Sequence, residues 1–226
     1  MYFDPMYMMI IAVTMALSLW AQAKVKGAYA KYSQIGSRSG MTGADMARWM
    51  MEREGISDVE LECIPGELSD HYDPRAKVVR LSQGVYQSSS IAALGIAAHE
   101  VGHVIQHARG YAPLNLRSFV YPTASIGTKL AFPLIFIGLF ISTFKVLTIV
   151  GVLLFAASTL FTLVTLPVEF NASSRALAAL NEGQVLDSEE LSGAKKVLDA
   201  AAWTYVAAAV ASVLTLLYYI SLLNRR

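Results

Sequence analysis

Four stretches of this chain carry no charged side chain at all: residues 6–23, 130–144, 146–168 and 200–223. A helix needs about 20 apolar residues to cross a bilayer core. The first, third and fourth stretches meet that length directly. The second has 15 charge-free residues, and these reach only about 22 Å as a helix. It is expected to begin before Lys129, whose amine would snorkel back to the interface. Composition agrees: hydrophobic residues make up 55% and charged residues 15%, against about 25% charge in soluble domains. A disordered chain, an ordinary water-soluble enzyme and a protein with a basic nucleic-acid surface are all excluded. The net charge of +1 gives no reason to expect a polyanionic partner. Cys63 is the single cysteine, so there is no internal disulfide framework.

The flanks of the first stretch set a topology. Asp4 precedes it, and Lys24, Lys26 and Lys31 follow it. A cleaved signal peptide places its positive charge first, so this segment reads as a retained membrane helix with its amino end outside. Residues 24–118 hold 11 of the 18 Lys and Arg, and 169–199 add Arg175, Lys195 and Lys196. Both segments are therefore expected on the inner side. The tail at Arg225 and Arg226 then lies outside, against the charge rule, and the larger positive count decides. The expected layout is an α-rich integral membrane protein. It has a helix over 1–23, a soluble unit over 24–118 and a transmembrane hairpin over 119–168. A further piece covers 169–199, and a last helix covers 200–226.

Within the soluble unit, Thr42-Gly-Ala-Asp45 has capping-box spacing and should start a helix through Arg53, with Gly55 ending it. Val59–Ile64 alternates and reads as a strand, Pro65-Gly66 as a turn, and Lys77–Leu81 as a second strand. Ser88 is expected to open a helix that runs through Ala108 to Gly110.

That helix contains His99-Glu-Val-Gly-His103, an H-E-x-x-H pattern. Histidines four apart share one face, one turn apart, so both imidazoles can reach one zinc. The glutamate between them is placed to take a proton from water at the metal. Residues 91–98 are almost wholly apolar, and a buried helix does not carry an acid and two histidines idly. One Zn2+ per chain is expected.

A hydrolytic zinc takes three protein ligands. His107 lies eight residues from His99, about 12 Å along the axis, so an unbroken helix cannot bring all three histidines to one ion. Ile105 and Gln106 also stand where a histidine-rich extension of the motif would need other residues. Glu169 is the better candidate. Two spans separate it from His103, so the chain crosses and returns to the same side. Glu182, Asp187, Glu189, Glu190 and Asp199 sit in what reads as a solvated turn and helix start, and are weaker candidates.

Four segments together resemble the YugP-like bacterial neutral zinc metallopeptidases: Asp70-His-Tyr-Asp-Pro74, Val79-Arg-Leu-Ser82, Ala97-Ala-His-Glu-Val-Gly-His-Val-Ile-Gln106 and Glu169-Phe-Asn-Ala-Ser-Ser-Arg-Ala176. The likeness covers nearly the whole chain. The order of motif, transmembrane hairpin and Glu-bearing helix is also similar to the HtpX-type membrane peptidases. These resemblances imply a small zincin-like α+β unit, with His99, His103 and Glu169 as a gluzincin-like ligand set and Glu100 as the base. One departure is visible: HtpX-type proteins have an aspartate four residues after the ligand glutamate, where this chain has Ser173. Ser173 or Asn171 would then stand behind the histidines.

Three further residues have two readings each. Arg175 could stabilise an oxyanion or pair with a lipid phosphate. Tyr205 could donate to an oxyanion or mark the membrane interface. His71 could line the cleft or simply precede a strand. The strand over 77–81 could add an extended substrate by β-pairing. The sequence thus points to a membrane-embedded zinc endopeptidase whose active site faces the cytoplasm. Its substrates would be membrane proteins or peptides near the inner leaflet. The alternative is a non-catalytic, zinc-binding interaction protein of the membrane. A structural zinc would need the histidines but not Glu100. Nothing in the sequence sets an oligomeric state.

Overall fold

The computed structural model describes residues 4–141 and 145–224. Residues 1–3, 142–144 and 225–226 lie outside the described residues. Among the described residues, seven helices and three strands occur in the order α1 (Pro5–Tyr32), α2 (Gly43–Arg53), β1 (Glu60–Ile64), β2 (His71–Asp73), β3 (Val78–Ser82), α3 (Gln83–Tyr86), α4 (Ile91–Ala108), α5 (Ala112–Phe140), α6 (Lys145–Glu182) and α7 (Ser188–Asn224). Four of these, α1, α5, α6 and α7, are long and apolar enough to cross a membrane.

The chain divides into two compact units. One comprises the residues up to Ala21, Ala112–Pro167 and those from Thr204 on. Its core is built from Ile135, Phe155, Tyr218 and Tyr219 among others. Close helix contacts depend on small residues, as lipid-embedded packing requires. A Cβ on Gly127 would stand 2.4 Å from the Leu154 carbonyl oxygen. Thr162 and Ser212 bond across helices at 2.8 Å. Large apolar side chains such as Phe119, Val146, Leu153 and Leu217 point outward. Exposed apolar side chains along helices this long and apolar suit a membrane-facing wall.

The other unit comprises Gln22–Tyr111 and Val168–Trp203. It is organised in the ordinary way, with Met46, Met50, Leu81, Leu94, Val101 and Leu180 buried at its centre. The Thr42 hydroxyl caps α2, and Asp45 returns the bond to the Thr42 backbone. Gly55 follows with φ +69°, the left-handed value that ends a helix. The helix over α4 starts later than its sequence suggests. Ser90, not Ser88, accepts from the Ala93 N–H, and Ser88 instead bonds to Ser90. Residues 83–86 form a separate short helix.

The sheet corrects one expectation. Its order is β1-β3-β2, with β1 parallel and β2 antiparallel to β3. Both edges of β3 are occupied, by β1 over 78–82 and by β2 over 78–80, so it is the central strand and not an open edge for an incoming peptide. Burial explains this position: Val78, Val79, Leu81 and Ser82 are all buried, as a central strand requires. Strand β2 is only three residues long, too short for an alternation to show.

Candidate metal centre

Helix α4 holds two of the three key side chains. His99 and His103 stand one turn apart with ring centroids 4.8 Å apart and planes nearly perpendicular. The third comes from α6. The two helices can approach because residue 102 is glycine: a Cβ there would lie 2.6 Å from the Ala172 carbonyl oxygen. That contact delivers Glu169, 3% exposed, to the histidines. Its Oε2 is 3.3 Å from His99 Nε2 and 3.5 Å from His103 Nε2. Among the described residues, these three form a group able to hold a metal ion, with ligand atoms within 4.8 Å of one another.

The spacing suits zinc. Bonds of about 2.0–2.1 Å at tetrahedral angles place neighbouring ligand atoms about 3.3 Å apart. The two His–Glu separations are such edges. Two imidazoles and a carboxylate are also the donor set of many hydrolytic zinc sites. The far ring nitrogens have partners that keep Nε2 turned inward. His99 Nδ1 lies 3.1 Å from Ser173 Oγ, and His103 Nδ1 lies 3.0 Å from Gln106 Oε1.

Glu100 is buried beside them. Burial pushes its carboxyl pKa up, while the positive forms of His99 and His103 pull against that shift. For His103, burial alone would disfavour the charged ring. The Glu169 and Glu100 carboxylates outweigh it and raise the imidazole pKa above its usual value.

The other candidates are placed as follows. His107 is exposed, and its Nδ1 lies 2.8 Å from the Tyr72 hydroxyl, a bond between α4 and β2. His71 is exposed on β2, with Nδ1 2.8 Å from the Ser69 carbonyl. Arg175 is half-buried on α6 and donates from Nε to Asn171 Oδ1 at 2.8 Å. Tyr205 lies on α7 in the other compact unit. The weaker acids have other tasks. Glu182 pairs with Arg53, and Asp199 with Lys195. Asp187 accepts from the N–H groups of Glu189 and Glu190, and Glu190 accepts from those of Asp187 and Arg38.

The contact of Gln106 with His103 escapes the sequence reading, which uses Gln106 only as a mismatch to a longer histidine motif. The available signal is its polarity three residues after His103 on an apolar helix, where the i,i+3 relation brings side chains together.

The fold and this cluster define a membrane protein with a His-His-Glu group, its glutamate buried and its histidines partly so, suited to a catalytic-type metal. A family model described as "Putative neutral zinc metallopeptidase" matches residues 7–224. The chain is 44% identical over 223 residues to a Bacillus subtilis (strain 168) protein named "Putative membrane protease YugP", covering 98% of each. No solved structure matches. The chain therefore belongs to this zinc metallopeptidase family.

Proposed function

We propose that this protein is a zinc-dependent endopeptidase of the membrane, with His99, His103 and Glu169 as metal ligands and Glu100 as general base. One observation carries the reading: the two His–Glu separations of 3.3 and 3.5 Å match a tetrahedral zinc site, with an acid buried between the two histidines on the same helix. When bound, zinc lowers the pKa of a coordinated water to about 7, polarises a carbonyl, and by its charge opposes the burial that raises Glu100. The Glu100 carboxylate would accept a proton from water as the water oxygen bonds to the peptide carbonyl carbon. It would then return that proton to the amine nitrogen as the C–N bond breaks and the new carboxyl group forms. Ser173 and Gln106 hold the two imidazoles in place during these transfers. The expected substrates are membrane proteins or peptides near the inner leaflet. The excess of Lys and Arg in residues 24–118 supports a cytoplasmic location for the site.

The test is metal analysis and proteolysis with purified full-length protein and its Glu100→Gln variant. Wild-type cleavage with about one zinc per chain, and a zinc-loaded but inactive variant, is the expected result. If both proteins bind zinc and neither cleaves membrane or peptide substrates, the site is structural.

A further inference from the structure

Gln106 is completely buried on α4. A buried amide must satisfy an acceptor and two donor hydrogens. Here all are engaged: Nε2 lies 2.7 Å from the Val168 carbonyl oxygen and 3.0 Å from Asn171 Oδ1, and Oε1 lies 3.0 Å from His103 Nδ1.

An amide can be turned end for end, so its neighbours must decide its direction. Two of them can act in one way only. A backbone carbonyl only accepts, so the Gln106 atom facing Val168 must be the NH2 group. Arg175 Nε only donates, and it lies 2.8 Å from Asn171. The Asn171 atom at that point must be oxygen, and it therefore also accepts from Gln106. The Gln106 oxygen is left for His103, so His103 Nδ1 carries the hydrogen. A neutral imidazole protonated at Nδ1 has its lone pair on Nε2. Nε2 is the nitrogen 3.5 Å from Glu169.

We infer that Arg175, Asn171 and Gln106 form a one-way hydrogen-bond relay that fixes the tautomer of His103 and so directs Nε2 to the metal, with Gln106 as the positioning residue. The inference rests on the metal ligation proposed above. It gives Arg175 a task different from both readings of the sequence: its Nε sets the direction of the Asn171 amide, which joins the Val168 carbonyl in orienting Gln106. His99 is held differently. Ser173 meets its Nδ1 with a hydroxyl, which donates or accepts equally well, so His99 receives orientation without a fixed tautomer. The relay also ties α4 to α6 at the turn that carries Glu169.

The test measures zinc affinity by chelator competition on the purified full-length protein. It is combined with the unfolding temperature of the zinc-free form and 15N imidazole spectra of its four histidines. Gln106→Leu and Asn171→Leu should weaken zinc about 10- to 100-fold, the usual cost of losing a group behind a metal ligand. Asn171→Asp keeps an oxygen for both donors and should hold affinity near wild type. In the zinc-free protein at alkaline pH, His103 should appear as the Nδ1–H tautomer. Gln106→Leu should shift it toward Nε2–H. The inference is overturned if both leucine variants lower the unfolding temperature yet keep wild-type zinc affinity and tautomer, since that is packing alone. Should Gln106→Leu fail to fold, the Asn171→Leu and Asn171→Asp pair decides the matter. Failure of the underlying site looks different: His103→Ala would then bind zinc as well as wild type.

Discussion

Gly102→Ala adds one methyl at the point where α4 meets α6. That Cβ would sit 2.6 Å from the Ala172 carbonyl oxygen and 3.1 Å from Ala172 Cα and carbonyl carbon. Ordinary contact begins near 3.4 Å, so the backbones must separate by about 0.8 Å. The obstacle is main chain, which cannot swing aside as a flexible side chain would. Zinc–ligand distances tolerate only about 0.2 Å, and Glu169 lies on α6 less than one turn before Ala172. Overpacking of this kind costs about 1–3 kcal/mol, against a gain of about 1 kcal/mol from replacing a helical glycine with alanine. The expected outcome is a modestly lower unfolding temperature and zinc affinity reduced at least about tenfold, in the range seen when ligand support is lost. Chelator competition and thermal unfolding of purified protein measure both. Gly95→Ala on the same helix is the control. Its Cβ would meet Ala194 Cβ at 3.4 Å, an ordinary contact, and should leave zinc affinity unchanged. A Gly102→Ala variant with wild-type zinc affinity would refute the claim that this helix contact places the third ligand.

Glu100→Gln should keep zinc and lose hydrolysis by at least about 10,000-fold, the upper end for general-base help; equal cleavage rates would refute the proton shuttle. His99→Ala, His103→Ala and Glu169→Ala should each lose zinc by metal analysis, while Glu182→Ala and Glu189→Ala keep it. The raised His103 pKa gives the zinc-free protein stability that is fully present below about pH 6.5 and falls as pH rises through the raised value, and the raised Glu100 pKa acts in the same direction. Zinc must displace the His103 proton, so the stabilisation from added zinc should grow with pH; calorimetry showing parallel pH trends with and without zinc would sink this linkage. Cys63 is exposed on β1 and is the one cysteine of the chain, so an impermeant maleimide should label it only after cells are opened; labelling on intact cells would reverse the proposed topology.

The four spans were legible because a bilayer demands long charge-free runs, and no other solvent does. The two histidines were legible because their spacing is fixed by the helix repeat. Glu169 followed from connectivity: a hairpin returns the chain to the side it left. What escaped depends on contacts distant in sequence. Strand β2 has three residues and takes its register from β3, so it leaves no periodic trace. The central place of β3 is set by which neighbours pair with it, and a run of apolar residues does not reveal that. Ser88 and Ser90 are both good helix starters, and tertiary packing selected the second. Ser173 and Asn171 could be nominated only through resemblance. Their separate tasks, one at His99 and one behind Gln106, needed the two helices side by side.

The proposed ligands are far apart in synthesis order even though they meet in space. His103 and Glu169 are separated by 66 positions, and α5 and the membrane-spanning part of α6 lie between them. At bacterial elongation rates of about 5–20 residues per second, the ribosome needs about 3–13 s to pass from one to the other. During that interval the emerging chain has two histidines and no third ligand, and two ligands hold zinc poorly. On the proposed ligation, metal capture waits until the hairpin has been threaded into the bilayer and its far end has come back. With the proposed ligands, a chain that stalls before its hairpin is inserted has no complete metal site.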